Sequence, residues 1–177
     1  MLATLDRPSS SAPLVSLQGV QKTFANGTTA LAGLDLDIRP GEFVSLLGPS
    51  GCGKSTALRI LAGLTAATAG TVVWPGSTGA DHRGEIGFVF QEPTLMPWAR
   101  AADNVWLPLR LRGVSRREAA PRIEESLALV GLSGFHDAYP RELSGGMKMR
   151  VSIARALSLR PKLLLMDEPF ARSEERV

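Results

Sequence analysis

Lys54 and Ser55 close the run Gly48-Pro49-Ser50-Gly51-Cys52-Gly53-Lys54-Ser55, which has the pattern G-x-x-x-x-G-K-[ST]. The pattern suits a chain of phosphates. Its glycines let the backbone curl so that successive N–H groups point inward at phosphate oxygens. A helix starting here, through Thr56, adds the positive end of its dipole. Lys54 then brings a full charge to the β- and γ-phosphates, and the Ser55 hydroxyl can ligate Mg²⁺. The plain alternative is a Gly-rich turn. An apolar run before Gly48 and a helical pattern after Thr56 argue against it. Cys52 fits this loop better as a small, tolerated side chain than as a redox sensor, and alkylating it would obstruct nucleotide entry.

Three more places carry chemistry. Asp167-Glu168 ends the apolar run Leu163-Leu164-Leu165-Met166. Downstream of a phosphate loop, an acid at such a strand end holds Mg²⁺ directly or through water, which is the expectation for Asp167. Glu168 beside it suits a general base polarising an attacking water. The bland alternative is an acidic turn before Pro169. Gln91 follows Val89-Phe90 and could touch Mg²⁺ or the attacking water with an amide that both donates and accepts. Finally, Leu143-Ser144-Gly145-Gly146 opens a helical pattern about twenty residues before the acidic pair. Ser144 can serve as an ordinary N-cap, or its hydroxyl and the Gly145 and Gly146 N–H groups can donate to an anion.

The bulk of the chain sets limits. At 177 residues it is long enough for one domain with a real core, and 44% hydrophobic with 21% charged residues is ordinary for a globular protein. Lys and Arg number 20 against 17 Asp and Glu, a net charge of +3. Arg110, Arg112, Arg116 and Arg117 form the one basic cluster, with no aromatic residue interleaved. A surface for stacking single strands is therefore not indicated, and no nucleic acid partner is expected. A single cysteine permits no internal disulfide, which fits a reducing compartment. Asp6, Arg7 and Pro8 interrupt any leader-like apolar stretch, and no apolar run approaches the roughly eighteen residues that cross a bilayer.

The elements that must position these groups follow from periodicity. Residues 1–13, rich in Ser and Pro, read as a disordered tail. Leu14–Leu17 and Lys22–Phe24 read as short strands, and Leu34–Ile38 alternates as a half-buried strand does. Phe43-Val44-Ser45-Leu46-Leu47 reads as a buried strand feeding Gly48. Ala57–Ala62 is helical and stops near Gly63. Thr71–Trp74 and Ile86–Phe90 are further strands, with a polar turn region at 75–84 between them. Residues from about 93 to 140 read as a helical insertion. Ser115 and Glu118 have the spacing of a capping box, but Pro121 would cost about 3 kcal/mol inside a helix, so the main helix is placed from Pro121 to Val130, ending at Gly131. A second helix spans Gly146–Ser158, and Lys162–Met166 is a buried strand. Strands alternating with helices predict an α/β domain with parallel strands.

From Leu14 to Phe170, the phosphate loop, Gln91, Leu143-Ser144-Gly145-Gly146-Met147 and Asp167-Glu168-Pro169 occur in the order of the ATP-binding-cassette (ABC) transporter ATPases, and the chain resembles that family. The resemblance implies a phosphate-loop NTPase fold with an N-terminal antiparallel β subdomain and a helical insertion. It implies ATP and Mg²⁺ as ligands, a second ABC ATPase subunit paired head to tail, and each ATP held between one phosphate loop and the partner's Ser144-Gly145-Gly146. Phe24 resembles the aromatic residue that stacks on adenine. The run Gln91–Trp98 with Asp103-Asn104-Val105 is similar to importer ATPases for nitrate, sulfonate and taurine. Such an ATPase sits peripherally on the cytoplasmic face of the membrane, docks transmembrane permease subunits through its insertion, with Trp98, Trp106 and Leu107 as possible contacts, and serves a periplasmic or surface solute-binding protein indirectly. Met147 stands where Gln is usual. The family continues past Phe170-Ala171 with a Leu-Asp element, a switch histidine and another strand, and His82 and His136 lie too early to supply that histidine. Here Arg172-Ser173-Glu174-Glu175-Arg176-Val177 follows. The expectation is thus a C-terminally truncated ABC ATPase domain over 14–177 that lacks C-terminal strands, dissolves poorly and hydrolyses little alone. The competing reading is a remnant that binds nucleotide weakly and does not hydrolyse it. The long coiled-coil insertion of the DNA-repair and chromosome-maintenance relatives is missing between Ser55 and Leu143.

Overall fold

A computed structural model describes residues 12–75 and 82–169. The chain divides into two units, Met1–Gly84 and Glu85–Val177, each with its own internal packing. Most of the Ser/Pro tail, most of the polar turn region at 75–84 and the ending from Phe170 lie outside the described residues.

In the first unit, strand β1 (Val15–Thr23) lies between β2 (Thr29–Ile38) and β3 (Ala69–Val73), antiparallel to both. The alternation at Leu34–Ile38 places its apolar side chains on the more covered face, ending at buried Ile38. Val15, Leu17 and Val20 of β1 are fully covered. Sequence periodicity divides β1 into two short strands, whereas the structure has one strand with a bulge between Leu17 and Val20. Gly19 sits there at φ 56°, its N–H donating to the Asp35 carboxylate. An extra residue at a bulge shifts the inward–outward phase, which is why the apolar pattern looks interrupted.

One expected strand is missing. Residues 43–47 form no strand, and no strand pairs with them among the described residues. Phe43 is 94% and Leu47 71% exposed. An apolar run states that a segment can be buried on both faces, but a ladder needs neighbouring backbones to receive its N–H and C=O groups. The described residues provide none at 43–47. Beyond the phosphate loop, α1 (Lys54–Leu61) ends in a Schellman turn. The Gly63 N–H donates to Ile60 O at 3.0 Å and the Leu64 N–H to Arg59 O at 2.9 Å, with Gly63 at φ 67°.

In the second unit, β4 (Ile86–Val89) and β5 (Leu163–Met166) pair in parallel. Helices α2 (Ala101–Leu111), α3 (Arg116–Leu129) and α4 (Gly145–Leu157) pack on one another. Their shared core takes Ala101, Val105 and Leu109 from α2 and Ile123 and Leu127 from α3, spacings that put each set on one helix face. Val151 and Ala154 of α4 complete it. Met149 and Ala156, also on α4, pack under Val89 of β4. Among the described residues no helix is long and apolar enough to cross a membrane.

Helix α3 corrects the placement of its start at Pro121. The capping box forms: the Glu118 N–H donates to the Ser115 hydroxyl at 3.3 Å, and the Ser115 N–H to the Glu118 carboxylate at 3.0 Å. Pro121 is carried inside the helix, because the buried face of Ala119, Ile123 and Leu127 outweighs one lost backbone bond. The cap is testable. Ser115→Ala should destabilise the fold by about 1 kcal/mol in a urea titration. The Ser115 hydroxyl and then its backbone N–H hold the Glu118 carboxyl below its ordinary value of 4.5. A carboxyl depressed in the folded state contributes stability above its unfolded value and loses it as pH falls through the folded one. The Ser115→Ala deficit should therefore shrink below about pH 4.5. A deficit independent of pH would show that the box contributes nothing through Glu118.

Candidate functional site

The phosphate-loop residues occupy the turn that opens α1. Gly51 and Gly53 have φ of 80° and 97°, the left-handed region that side chains other than glycine seldom adopt. Gly53 is also fixed by space, since a Cβ there would lie 2.3 Å from the Ala30 carbonyl of β2. That contact brings the start of α1 against the sheet. At Gly51 a Cβ would meet nothing within 4 Å, so that side of the loop is open. No side chain caps α1 and no acid stands in its first turn, so the helix dipole is not answered by the helix's own residues. The Lys54 ammonium arches back over the loop, donating to the Gly48 carbonyl at 2.8 Å and the Pro49 carbonyl at 3.1 Å. Gly48, Pro49, Ser50 and Cys52 are exposed, while Ser55 and Thr56 are half-buried in the first turn. An open loop rimmed by a lysine and an uncapped helix start fits a phosphate chain. Phe24, just past β1, is 43% exposed, with the Lys22 ammonium 5.4 Å from its ring centroid. It is not a core residue.

Gln91, Asp167 and Glu168 are brought together by strand pairing in the second unit. Val89 lies beside Met166, and the Asp167 N–H donates to the Val89 carbonyl at 2.9 Å. The acidic pair and the exposed Gln91 thus leave the carboxyl ends of neighbouring parallel strands, where ligands bind in parallel α/β sheets. Asp167 is 5% exposed and Glu168 is exposed. Glu168 has φ 46°, a conformation costing a non-glycine residue about 1–3 kcal/mol and found most often at functional positions. Among the described residues no three His, Cys, Asp or Glu side chains cluster as a metal site. Each unit offers a hard oxygen of the type Mg²⁺ prefers, the Ser55 hydroxyl in the first and the Asp167 carboxylate in the second.

Ser144 caps α4, its hydroxyl accepting from the Met147 N–H at 3.2 Å. Gly145 and Gly146 follow, both exposed. A Cβ at either would meet nothing within 4 Å, and neither has a positive φ. Nothing within the described chain requires glycine there, although glycine in a helix is less favourable than alanine by about 1 kcal/mol.

Sequence reasoning assigned no role to two polar residues, naming Asn104 only within the importer-like run and Arg155 not at all. Asn104 is fully buried on α2 and Arg155 half-buried on α4, and both bind the loop after Gln91. Each breaks an apolar helix face, a signal too common to single them out.

The sequence pattern of the ABC transporter family matches residues 31–171. An aliphatic sulfonates import ATP-binding protein of Pseudomonas syringae pv. syringae is 51% identical over 158 residues, covering 89% of this chain and 61% of the relative. An Fe(3+) ions import ATP-binding protein of Rhizobium etli is 44% identical over 167 residues, covering 92% and 47%. The chain thus spans less than two thirds of either relative's length. Among solved structures, a dimeric ATP-binding cassette in a post-hydrolysis state bound to ADP and Pi is similar at a TM-score of 0.80 and 39% identity, covering 89% of this chain and 75% of that one.

Proposed function

The chain belongs to the ABC transporter family of ATP-binding proteins, and from that premise we propose that it is the ATP-binding subunit of a membrane importer, working as one of a pair. The phosphate loop binds the triphosphate, with Lys54 on the β- and γ-phosphates and Phe24 against the adenine. Bound Mg²⁺ supplies charge neutralisation, with Ser55 and Asp167 as its protein oxygens. Gln91 orients the attacking water, and Glu168 accepts its proton. Ser144, Gly145 and Gly146 donate to the γ-phosphate of ATP held by the partner subunit.

One observation carries the pairing: two exposed glycines at the start of α4 that nothing among the described residues requires. A group arriving from outside needs their bare backbone. The subunit sits peripherally at the cytoplasmic face of the membrane against permease subunits. Trp98, 76% exposed, is the better permease contact, because Trp106 packs on the helical core with its indole N–H bonded to the Val114 carbonyl. The solute is a small anion of the sulfonate, nitrate or taurine class, supported by the run Gln91–Trp98 and by the sulfonate-importing relative. Relatives with other cargo, Fe³⁺ among them, share the cassette, so transport assays with the cognate permease decide the solute. Ser144→Arg tests the pairing. It should leave ATP affinity of the isolated subunit unchanged and stop steady turnover, whereas an equal loss of single-subunit binding would place the signature's role within one chain.

A further inference from the structure

The eight residues from Pro93 to Arg100 form no helix or strand, although they connect Gln91 to α2. Two side chains hold them. From α4, Arg155 donates one guanidinium nitrogen to the Thr94 carbonyl at 2.9 Å, and the other to the Pro93 carbonyl at 3.1 Å and the Thr94 hydroxyl at 2.9 Å. From α2, Asn104 accepts from the Met96 N–H at 2.8 Å and donates to the Ala99 and Arg100 carbonyls at 3.0 and 3.1 Å. Only Leu95 separates the two anchored stretches. Thr94 sits at φ 46°, which a β-branched residue adopts only when its surroundings impose it.

Arg155 is an odd residue to use as plain packing. Burial lowers its guanidinium from the ordinary arginine value. Among the described residues no carboxylate pairs with it, and its charge is spent on two carbonyls and the hydroxyls of Thr94 and Ser152. A desolvated charge answered only by neutral oxygens is a poor stabiliser by itself. It does, however, fix two consecutive carbonyls through the two terminal nitrogens of one planar fork.

We propose that Arg155 is a positioning residue that ties Gln91 to the helix bearing Ser144. The link runs from Ser144 at the head of α4, along the helix to Arg155, and across to Pro93-Thr94, two and three residues past Gln91. Asn104 fixes the far side of the loop independently, so a displacement of α4 is passed to Gln91 rather than absorbed along the loop. Engagement of the signature and placement of the water-orienting amide then change together. The inference rests on the roles assigned above to Gln91 and Ser144.

Arg155→Lys keeps the charge and loses the fork, Arg155→Met keeps only the stem, and Thr94→Gly removes the hydroxyl and the imposed φ while leaving Arg155 intact. In the nucleotide-free subunit, amide exchange should quicken at Glu92, Thr94 and Leu95 in all three, while the Asn104-bound Met96 amide stays protected. In the paired, ATP-hydrolysing form, kcat should fall about 10- to 100-fold in Arg155→Met, as a displaced catalytic group does. Arg155→Lys should recover part of that loss, with KM unchanged throughout. Unchanged exchange at Glu92, Thr94 and Leu95, or a rise in KM with kcat constant, would overturn the proposal. If the Arg155 variants do not fold, Thr94→Gly decides it by the same two readouts. Wild-type protein that fails to bind ATP would instead refute the proposed function, and the exchange result would still judge the anchoring.

Discussion

Lys54→Ala should weaken ATP binding at least 100-fold. The ammonium is the one full charge the loop presents to the phosphates, and it already lies over the loop mouth, 2.8 Å from the Gly48 carbonyl. Hydrogen bonds to charged groups contribute about 1.5–3 kcal/mol each. Loss of two phosphate contacts is therefore worth about 3–6 kcal/mol, and each 1.4 kcal/mol is a factor of ten in affinity. Two further contributions act in the same direction. The variant loses the tie that holds the Gly48 and Pro49 carbonyls turned toward the lysine, so the loop needs ordering on binding. It also leaves the loop N–H groups and the α1 dipole to meet the phosphates without a full charge. Titration calorimetry with Mg-ATP checks the expectation, with thermal melting to show that the variant folds. A folded Lys54→Ala subunit with wild-type affinity would remove the phosphate-loop assignment.

Glu168→Gln should reduce turnover by about 10²- to 10⁴-fold, the usual worth of a general base, and leave ATP affinity unchanged. The amide keeps the size and shape of the carboxylate but cannot accept the proton. Since Glu168 is exposed and follows a paired strand, the substitution should not disturb β5. Its φ of 46° gives a second, independent expectation. Glu168→Gly should relieve the strained backbone and raise the melting temperature while still abolishing turnover, a trade of stability for activity that an ordinary turn residue would not show. Turnover preserved in Glu168→Gln would assign the base elsewhere.

Most of what positions the site was legible in the sequence because it is local. The glycines at 51 and 53, the Ser144 cap and the apolar run before Asp167 are fixed by backbone sterics, capping and short-range burial. What escaped depended on partners distant in the chain. Phe43–Leu47 has the composition of a buried strand, but composition cannot say which backbone will pair with it. The Pro121 penalty was correctly signed, yet a buried helix face and an intact capping box outweigh it. Arg155 binds residues 61 and 62 positions away, a contact that no periodicity encodes. Gly145 and Gly146 are the converse case: the sequence marked them, and the structure adds that among the described residues a Cβ at either would meet nothing within 4 Å.

Pairing across that glycine-marked helix start is the central claim, and sedimentation of the Glu168→Gln subunit with Mg-ATP tests it most directly, since blocked hydrolysis preserves any ATP-held pair. The account predicts a monomer without nucleotide, a dimer with ATP, and a monomer again when Ser144→Arg is added, although that double variant still binds ATP. A subunit that binds ATP and stays monomeric, or a dimer that Ser144→Arg leaves intact, would contradict it.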